Sequence, residues 1–203
     1  LQGQEPITLT GHQGGVVQSL YVPGGKLVVT CGHDRTVRIW QATDGKLIRT
    51  LQGHEGQVLS LAVAANGRRL ISGGRDNSIR LWDLFIPDPL KQRSPHQVAV
   101  TALLVGPEGS WQATGSTDKT VRLVPAADGE PMSLDQHADA ITTLGTNVTG
   151  TLLASGDASG RLLLWNPADG QLIGNLGAHK GALVGVAFHP SKPQMISAGA
   201  NGT

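Results

Sequence analysis

The sequence predicts an all-β protein built from repeated four-stranded units, and three observations predict it. Of the 203 residues 28 are glycine and only 3% are aromatic, a balance that suits many tight turns between short aliphatic strands better than long helices. His12, His54, His96, His137 and His179 recur after 42, 42, 41 and 42 positions, and a period of this size marks a repeat architecture. A second ladder, Asp34, Asp76, Asp118, Ser159 and Asn201, follows each histidine by 22 residues, so every unit keeps one length between its two landmarks.

Each unit divides into strands by the same signals. In the first, Val16 to Val22, Lys26 to Cys31 and Thr36 to Trp40 are short apolar runs separated by Pro23-Gly24-Gly25 and by His33-Asp34, and each reads as a strand between turns. Thr43-Asp44-Gly45 follows, matched by Ala127-Asp128-Gly129 and Ala168-Asp169-Gly170; Asp-Gly is a hairpin signal because both residues tolerate positive φ. The fourth strand is then Lys46 to Leu51, Glu130 to Leu134 and Gln171 to Leu176, with a disturbed version at Leu90 to Arg93. Pro87 and Pro89 explain the disturbance, since proline cannot donate to a central ladder and confines that segment to an outer edge. The units run from about 7 to 50, 51 to 93, 94 to 134, 135 to 176 and, incomplete, 177 to 203. Ile7 to Thr10 has the look of a leading fourth strand.

These units resemble WD repeats, the transducin-β-like family, whose signature is a Gly-His pair, an Asp in a tight turn and a closing Trp-Asp. The second unit carries Gly53-His54, Ser72, Asp76 and Trp82-Asp83; the first carries Gly11-His12, Thr30, Asp34 and Trp40, with Gln41 in place of the last Asp. The resemblance implies a β-propeller of four-stranded blades about a channel, here about four complete blades and a partial fifth. Propellers of this family commonly have seven blades, so a fragment of a longer one is expected.

A buried imidazole needs a partner for each ring nitrogen. The spacing offers an Asp for one and, four residues before that Asp, a Ser or Thr hydroxyl for the other, whose oxygen can also accept from the Trp indole N–H. The resemblance implies this network for His12, Thr30, Asp34 and Trp40 and for His54, Ser72, Asp76 and Trp82. Two later units are expected to lack a member. Val124 stands in the third Trp position, and Ser159 stands in the fourth Asp position beside an Asp157 two places early.

Several function classes find no support. A formal charge of +1 gives no signature of a nucleic-acid binder, and apolar runs of five or six residues are far short of the ~20 that span a bilayer. A single cysteine, Cys31, rules out an internal disulfide framework and favours a reducing, cytoplasmic setting without excluding export. The Asn147-Val148-Thr149 and Asn201-Gly202-Thr203 sequons matter only in a secreted chain. One histidine per unit is dispersed around a ring, whereas a metal site needs convergence. His33, in a turn beside Asp34, and His189, before Pro190, have no evident catalytic partner. Gly156-Asp157-Ala158-Ser159-Gly160 places its serine one position late for a nucleophile elbow and leads into a strand. Arg38, Arg80 and Arg122 are equally dispersed, their stems packing on the blade. No catalytic residue, cofactor or metal is therefore expected.

What remains is a scaffold for protein partners. Function is expected on loops held by the rigid blades, at the rim that the resemblance implies for docking. Gln13, Glu55, Gln57, Gln97, Asp139 and Lys180 follow the ladder histidines, and His33, Arg75, Thr117, Ala158 and Ala200 precede the Asp position. From these, His33, Glu55, Gln57, Arg75, Thr117 and Lys180 form the candidate partner-binding rim, with Arg75 foremost because arginine is enriched in binding hot spots. The alternative is a regulatory or targeting region of a larger enzyme such as a kinase or peptidase.

Overall fold

The computed structural model describes residues 5–85, 89–93, 96–125 and 130–202. The anticipated turn at Ala127-Asp128-Gly129, together with Pro87, Pro95 and Thr203, lies outside them. Each unit is an antiparallel meander in chain order. β1 (Val16–Tyr21), β2 (Leu27–Gly32), β3 (Val37–Gln41) and β4 (Leu47–Leu51) form one sheet, and β5 (Val58–Val63), β6 (Arg69–Gly74), β7 (Ile79–Asp83) and β8 (Pro89–Arg93) form the next. β9 (Val100–Val105), β10 (Trp111–Ser116), β11 (Val121–Pro125) and β12 (Met132–Leu134) make the third sheet; β13 (Ile141–Thr146), β14 (Leu153–Asp157), β15 (Arg161–Trp165) and β16 (Leu172–Ala178) make the fourth. A two-stranded sheet of β17 (Leu183–Phe188) and β18 (Met195–Gly199) completes the series.

These sheets are propeller blades. The first strands of successive sheets, β1, β5, β9, β13 and β17, lie side by side around a cavity of about 360 Å³ to which all five contribute, through Val17, Leu59, Thr101, Thr142 and Val184. β8 sits at the outer edge of its sheet, where a strand that opens on Pro89 loses no ladder bond. Ile7 to Thr10 departs from expectation. No strand is assigned there; Ile7 and Leu9 pack against Gly45, much as Met132 and Leu134 lie against Gly170 of the following blade, and no described strand lies beside the segment to share a ladder.

Each innermost strand carries a β-bulge at one repeating place, between Val16 and Gln18, Val58 and Ser60, Val100 and Ala102, Ile141 and Thr143, and Leu183 and Gly185. The extra residue in each case is the one that lines the cavity, as expected of a bulge that re-aims a side chain. Two of these residues bridge blades. The Thr101 hydroxyl donates to the Ile141 carbonyl at 2.6 Å and that of Thr142 to the Leu183 carbonyl at 2.5 Å. In the first blade Gln18, just past the bulge, makes the corresponding link by accepting from the Leu61 amide at 2.6 Å.

The core lies in the seams between blades. One buried cluster joins Val29, Cys31, Val37 and Ile39 to Val58, Leu61 and Trp82; others join Ile71 and Ile79 to Val100, Ala113 and Leu123 to Ile141 and Leu153, and Ala154 and Leu162 to Leu183. The second strands of the first four sheets, β2, β6, β10 and β14, are therefore buried on both faces, which accounts for their continuous apolar or small composition. In the last three of these seams a first-strand residue enters a glycine seat on the preceding blade. A Cβ on Gly73 would lie 2.6 Å from Val100 Cγ1, and one on Gly156 would lie 2.8 Å from Leu183 Cβ; Gly115 holds Ile141 in the same manner. Glycine serves here by its lack of volume.

Overfilling a tight core costs about 1–3 kcal/mol, so Gly73→Ala should lower unfolding free energy by that order in urea melts. Adding Val100→Ala, which restores the space, should recover a large part of the loss. A double variant no more stable than Gly73→Ala alone would rule out the seat.

Candidate functional site

The rim is built on the histidine ladder, so its geometry starts there. In the first blade His12 Nδ1 lies 2.9 Å from Asp34 Oδ2 and Nε2 lies 2.7 Å from the Thr30 hydroxyl, which accepts from Trp40 Nε1 at 2.8 Å. The second blade repeats this: His54 to Asp76 at 2.8 Å, His54 to Ser72 at 2.7 Å, and Trp82 to Ser72 at 2.8 Å. The network assigns the proton to Nδ1, which donates to the carboxylate, while Nε2 accepts from the hydroxyl. In the third blade His96 keeps Asp118 at 2.8 Å and Thr114 at 2.7 Å, but buried Val124 occupies the indole position. In the fifth, His179 Nε2 pairs with the Ser197 hydroxyl at 2.8 Å.

The fourth blade corrects the sequence expectation. Its clamp is complete: His137 Nδ1 is 2.9 Å from Asp157 Oδ2, Nε2 is 2.6 Å from Ser155, and Trp165 donates to Ser155 at 2.7 Å. Asp157 sits two residues beyond Ser155, where Gly32 and Gly74 follow Thr30 and Ser72. At Gly74 a Cβ would lie 3.0 Å from His54 Nδ1, and at Gly32 3.3 Å from His12 Nδ1, so a carboxylate launched from that position reaches the same nitrogen. Ser159 then donates to Asp157 Oδ1 at 2.6 Å, as Thr36, Ser78 and Thr120 donate to their aspartates at 2.8, 2.9 and 2.7 Å. The signal was legible as a shifted Asp-x-Ser/Thr triplet.

The Gly-His pair has its own cause. Gly11 and Gly53 take φ of +151° and +145°, and a Cβ there would lie 2.6 Å from Arg38 Nη1 and 2.9 Å from Arg80 Nη1, so the guanidinium needs the vacant side of the glycine. Arg38 Nη2 also donates to Asp34 at 3.3 Å. Gln136 stands at this position in the fourth blade, and there Arg161 donates to its carbonyl at 2.9 Å. Each clamp aspartate thus has an arginine four residues on, Asp34 with Arg38, Asp76 with Arg80, Asp118 with Arg122 and Asp157 with Arg161.

Burial holds His54, His96 and His137 below the ordinary imidazole value, against the pull of their aspartates. Burial also works against ionised Asp34, but donation from the Gln13 amide, the Thr36 hydroxyl and His12 outweighs it and brings the carboxyl to about 2. Asp76, Asp118 and Asp157 are lowered by the same balance. The clamps at His54, His96 and His137 are therefore neutral imidazoles on carboxylates. Burial pushes the Cys31 thiol up to about 12, which keeps it protonated and unreactive.

From the clamp the geometry reaches the rim. Asp34 and Asp76 accept from the backbone N–H of Gln13 at 3.1 Å and of Glu55 at 2.9 Å. In all five blades the residue of the second turn donates its N–H to the loop entering the first strand: His33 to Gly15, Arg75 to Gln57, Thr117 to Ala99, Ala158 to Ala140 and Ala200 to Ala182, at 2.8–3.1 Å. His33, Arg75, Thr117, Glu55 and Lys180 are exposed and Gln57 is half-buried. The structure sets His33, Arg75 and Thr117 at one repeating place on successive blades, while Lys180 lines a separate cavity with Leu162, Leu176 and His179. Sequence reasoning passed over Arg35 and Lys119, exposed at φ of +65° and +71° one residue after the aspartates; a long cation directly after the turn Asp was the available signal. Among the described residues no three His, Cys, Asp or Glu side chains are grouped to hold a metal ion, and no helix is long and apolar enough to cross a membrane.

The family model "WD domain, G-beta repeat" matches residues 3–41, 45–83, 87–124, 130–166 and 170–203. The chain is similar to the probable cytosolic iron-sulfur protein assembly protein Ciao1 of Anopheles gambiae, 51% identical over 37 residues that make up 18% of this chain and 11% of the relative. It is also similar to Striatin-3 of Rattus norvegicus and of Mus musculus, 37% identical over 73 residues, 34% of this chain and 9% of each relative. The matched stretch thus spans about a tenth of the length of these curated relatives.

Leaving a buried polar group without its partner costs about 1–3 kcal/mol, so Asp157→Ala should destabilise by that order, as should Asp76→Ala. Ser159→Ala should cost less, because Asp157 Oδ1 keeps the Ser159 and Arg161 amides as donors; equal, negligible losses in urea melts would break the clamp account. Stability should also depend on pH. The unfolded histidines bind protons near their ordinary value of 6.5 while buried His54 resists, so stability is full above that pH and falls as pH drops through it. A further fall begins below the carboxylates' ordinary 3.8 and ends near pH 2 for Asp34. Melting temperatures recorded from pH 8 to about pH 2 should show both steps, and a flat or rising profile between pH 7 and pH 5 would contradict the first.

Proposed function

The chain belongs to the WD-repeat family, and from that membership we propose that it is a non-catalytic scaffold whose partners are other proteins docking on the rim formed by the loops around the clamps. The observation that carries this reading is the five-fold bond between the second turn and the loop entering the first strand, which presents one repeating position per blade on a rigid frame. Rigid presentation favours association because little side-chain and loop freedom remains to be lost on binding. Candidate docking residues are His33, Glu55, Gln57, Arg75, Thr117 and Lys180, joined by Arg35 and Lys119. The clamp histidines His54, His96 and His137 are held neutral, buried and apart from one another, an arrangement suited to holding a fold rather than to acid–base work. The reading places the chain in the cytoplasm, supported by its single buried thiol and by the word cytosolic in the name of one relative. It requires no cofactor.

Arg75 is exposed while its backbone N–H anchors the loop. Arg75→Ala should therefore leave the urea midpoint within about 0.5 kcal/mol of wild type and weaken a rim partner by about 1 kcal/mol or more, measured by calorimetric titration with a partner recovered by cross-linking. Unchanged affinity for every partner so recovered would remove Arg75 from the docking surface.

A further inference from the structure

The rim is not uniform in charge, and its unevenness points to the chemistry of a partner. Arg35 and Lys119 occupy the same turn position in the first and third blades, and Arg75 lies in the corresponding turn of the second. All three are exposed, and none has an ion-pair partner among the described residues. The clamp aspartates beneath do not cancel them, because Asp34 pairs with Arg38 at 3.3 Å, and Arg80 and Arg122 stand four residues after Asp76 and Asp118. Among the described residues Glu55 is the one exposed acid on the rim loops of these three blades, whereas the fourth blade reverses the sign with exposed Asp135 and Asp139 on its entering loop.

We propose that this arc across the first three blades receives an acidic, extended segment of a partner protein, an inference that rests on the rim-docking reading and specifies its partner. One cation per blade at a repeating place suits a chain that runs across blades with carboxylates along it; a single small anion would need the three to converge. Asp135 and Asp139 repel such a segment and limit the site to one side of the ring, the repulsive element that gives an interface its register. A single-stranded nucleic acid is the poorer fit, since binding it requires aromatic stacking platforms beside the cations. Trp40, Trp82 and Trp165 are each 1% exposed within the clamps, and exposed Tyr21 and Phe85 lie at the ends of their strands away from these turns.

The test uses the 203-residue chain and three labelled probes: a peptide of about ten residues alternating Glu and Ser, its counterpart alternating Lys and Ser, and an oligothymidylate of similar length. Fluorescence anisotropy at low salt should show the glutamate peptide binding, weakening as salt screens the contacts, with the lysine peptide unbound. The triple variant Arg35→Asn, Arg75→Gln, Lys119→Asn retains a residue that tolerates positive φ at both strained positions and should melt as wild type does. It should lose roughly tenfold or more in affinity for the glutamate peptide. No binding of that peptide, binding indifferent to the triple variant, or tighter binding of oligothymidylate lost in the same variant would each overturn the proposal. If Arg75→Ala still weakens a recovered rim partner in those cases, rim docking stands and only the acidic partner class falls; if it does not, both fall.

Discussion

Everything at the rim hangs from the requirement that a buried imidazole satisfy both of its nitrogens. That demand draws a carboxylate from one turn and a hydroxyl from the second strand to a histidine that arrives on the preceding loop, joining that loop to a strand and turn that in the first blade lie 18 and 22 residues further along. The carboxylate is then left with acceptor capacity, which it uses on backbone amides of the entering loop and on the hydroxyl two residues along. A single polar group thereby orders both loops that frame the surface. Such a network stabilises only when complete, because in a low-dielectric interior a half-satisfied one is worse than an apolar filling. The third blade shows how a missing member is accommodated: Val124 fills the indole's place with apolar volume, and because Thr114 would have been the acceptor, the indole's absence strands no donor of its own.

The same network separates the charges held within the blades from those exposed at the turns. Asp34 pairs with Arg38 beneath the surface, and depressed imidazole basicity keeps His54, His96 and His137 from adding charge. The outward-facing character of the rim is then set by a few turn residues that the fold constrains only through their backbone. His33, Arg75, Thr117, Ala158 and Ala200 make one hydrogen-bond pattern while differing in side chain from histidine to arginine to alanine. The fold and the chemistry it exposes are thus carried by different atoms of the same residues.

Period, strand order and clamp members were legible in the sequence because they depend on spacing, which a chain displays directly. Asp157 was harder to place. Counting from the histidine pointed to Ser159, whereas geometry shows that a side chain from the position of Gly74 reaches the same nitrogen; the repeating Asp-x-Ser/Thr triplet carried that information, but distance along the chain competed with it. The bulge at Val17, Leu59, Thr101, Thr142 and Val184 left no mark of its own, since valine, leucine and threonine suit a regular strand equally well. Gly73, Gly115 and Gly156 have no sequence signal for their role, because Val100, Ile141 and Leu183, which occupy the space beside them, lie in the next repeat. Contacts between blades join residues of unlike position in the repeat, so comparing equivalent positions cannot expose them.

The fit of each first-strand side chain into the preceding blade has a consequence for how such proteins change over generations. The third and fourth repeats each bring one projecting residue, Val100 or Ile141, and one receiving glycine, Gly115 or Gly156. An in-frame duplication of a single forty-odd-residue segment therefore supplies both halves of a new junction at once and leaves the old junctions chemically unaltered. Lengthening the array asks for no compensating substitution elsewhere, whereas enlarging one hollow glycine asks for a matching reduction in the next repeat. Growth by copying is open to this architecture with fewer coordinated mutations than alteration of its seams.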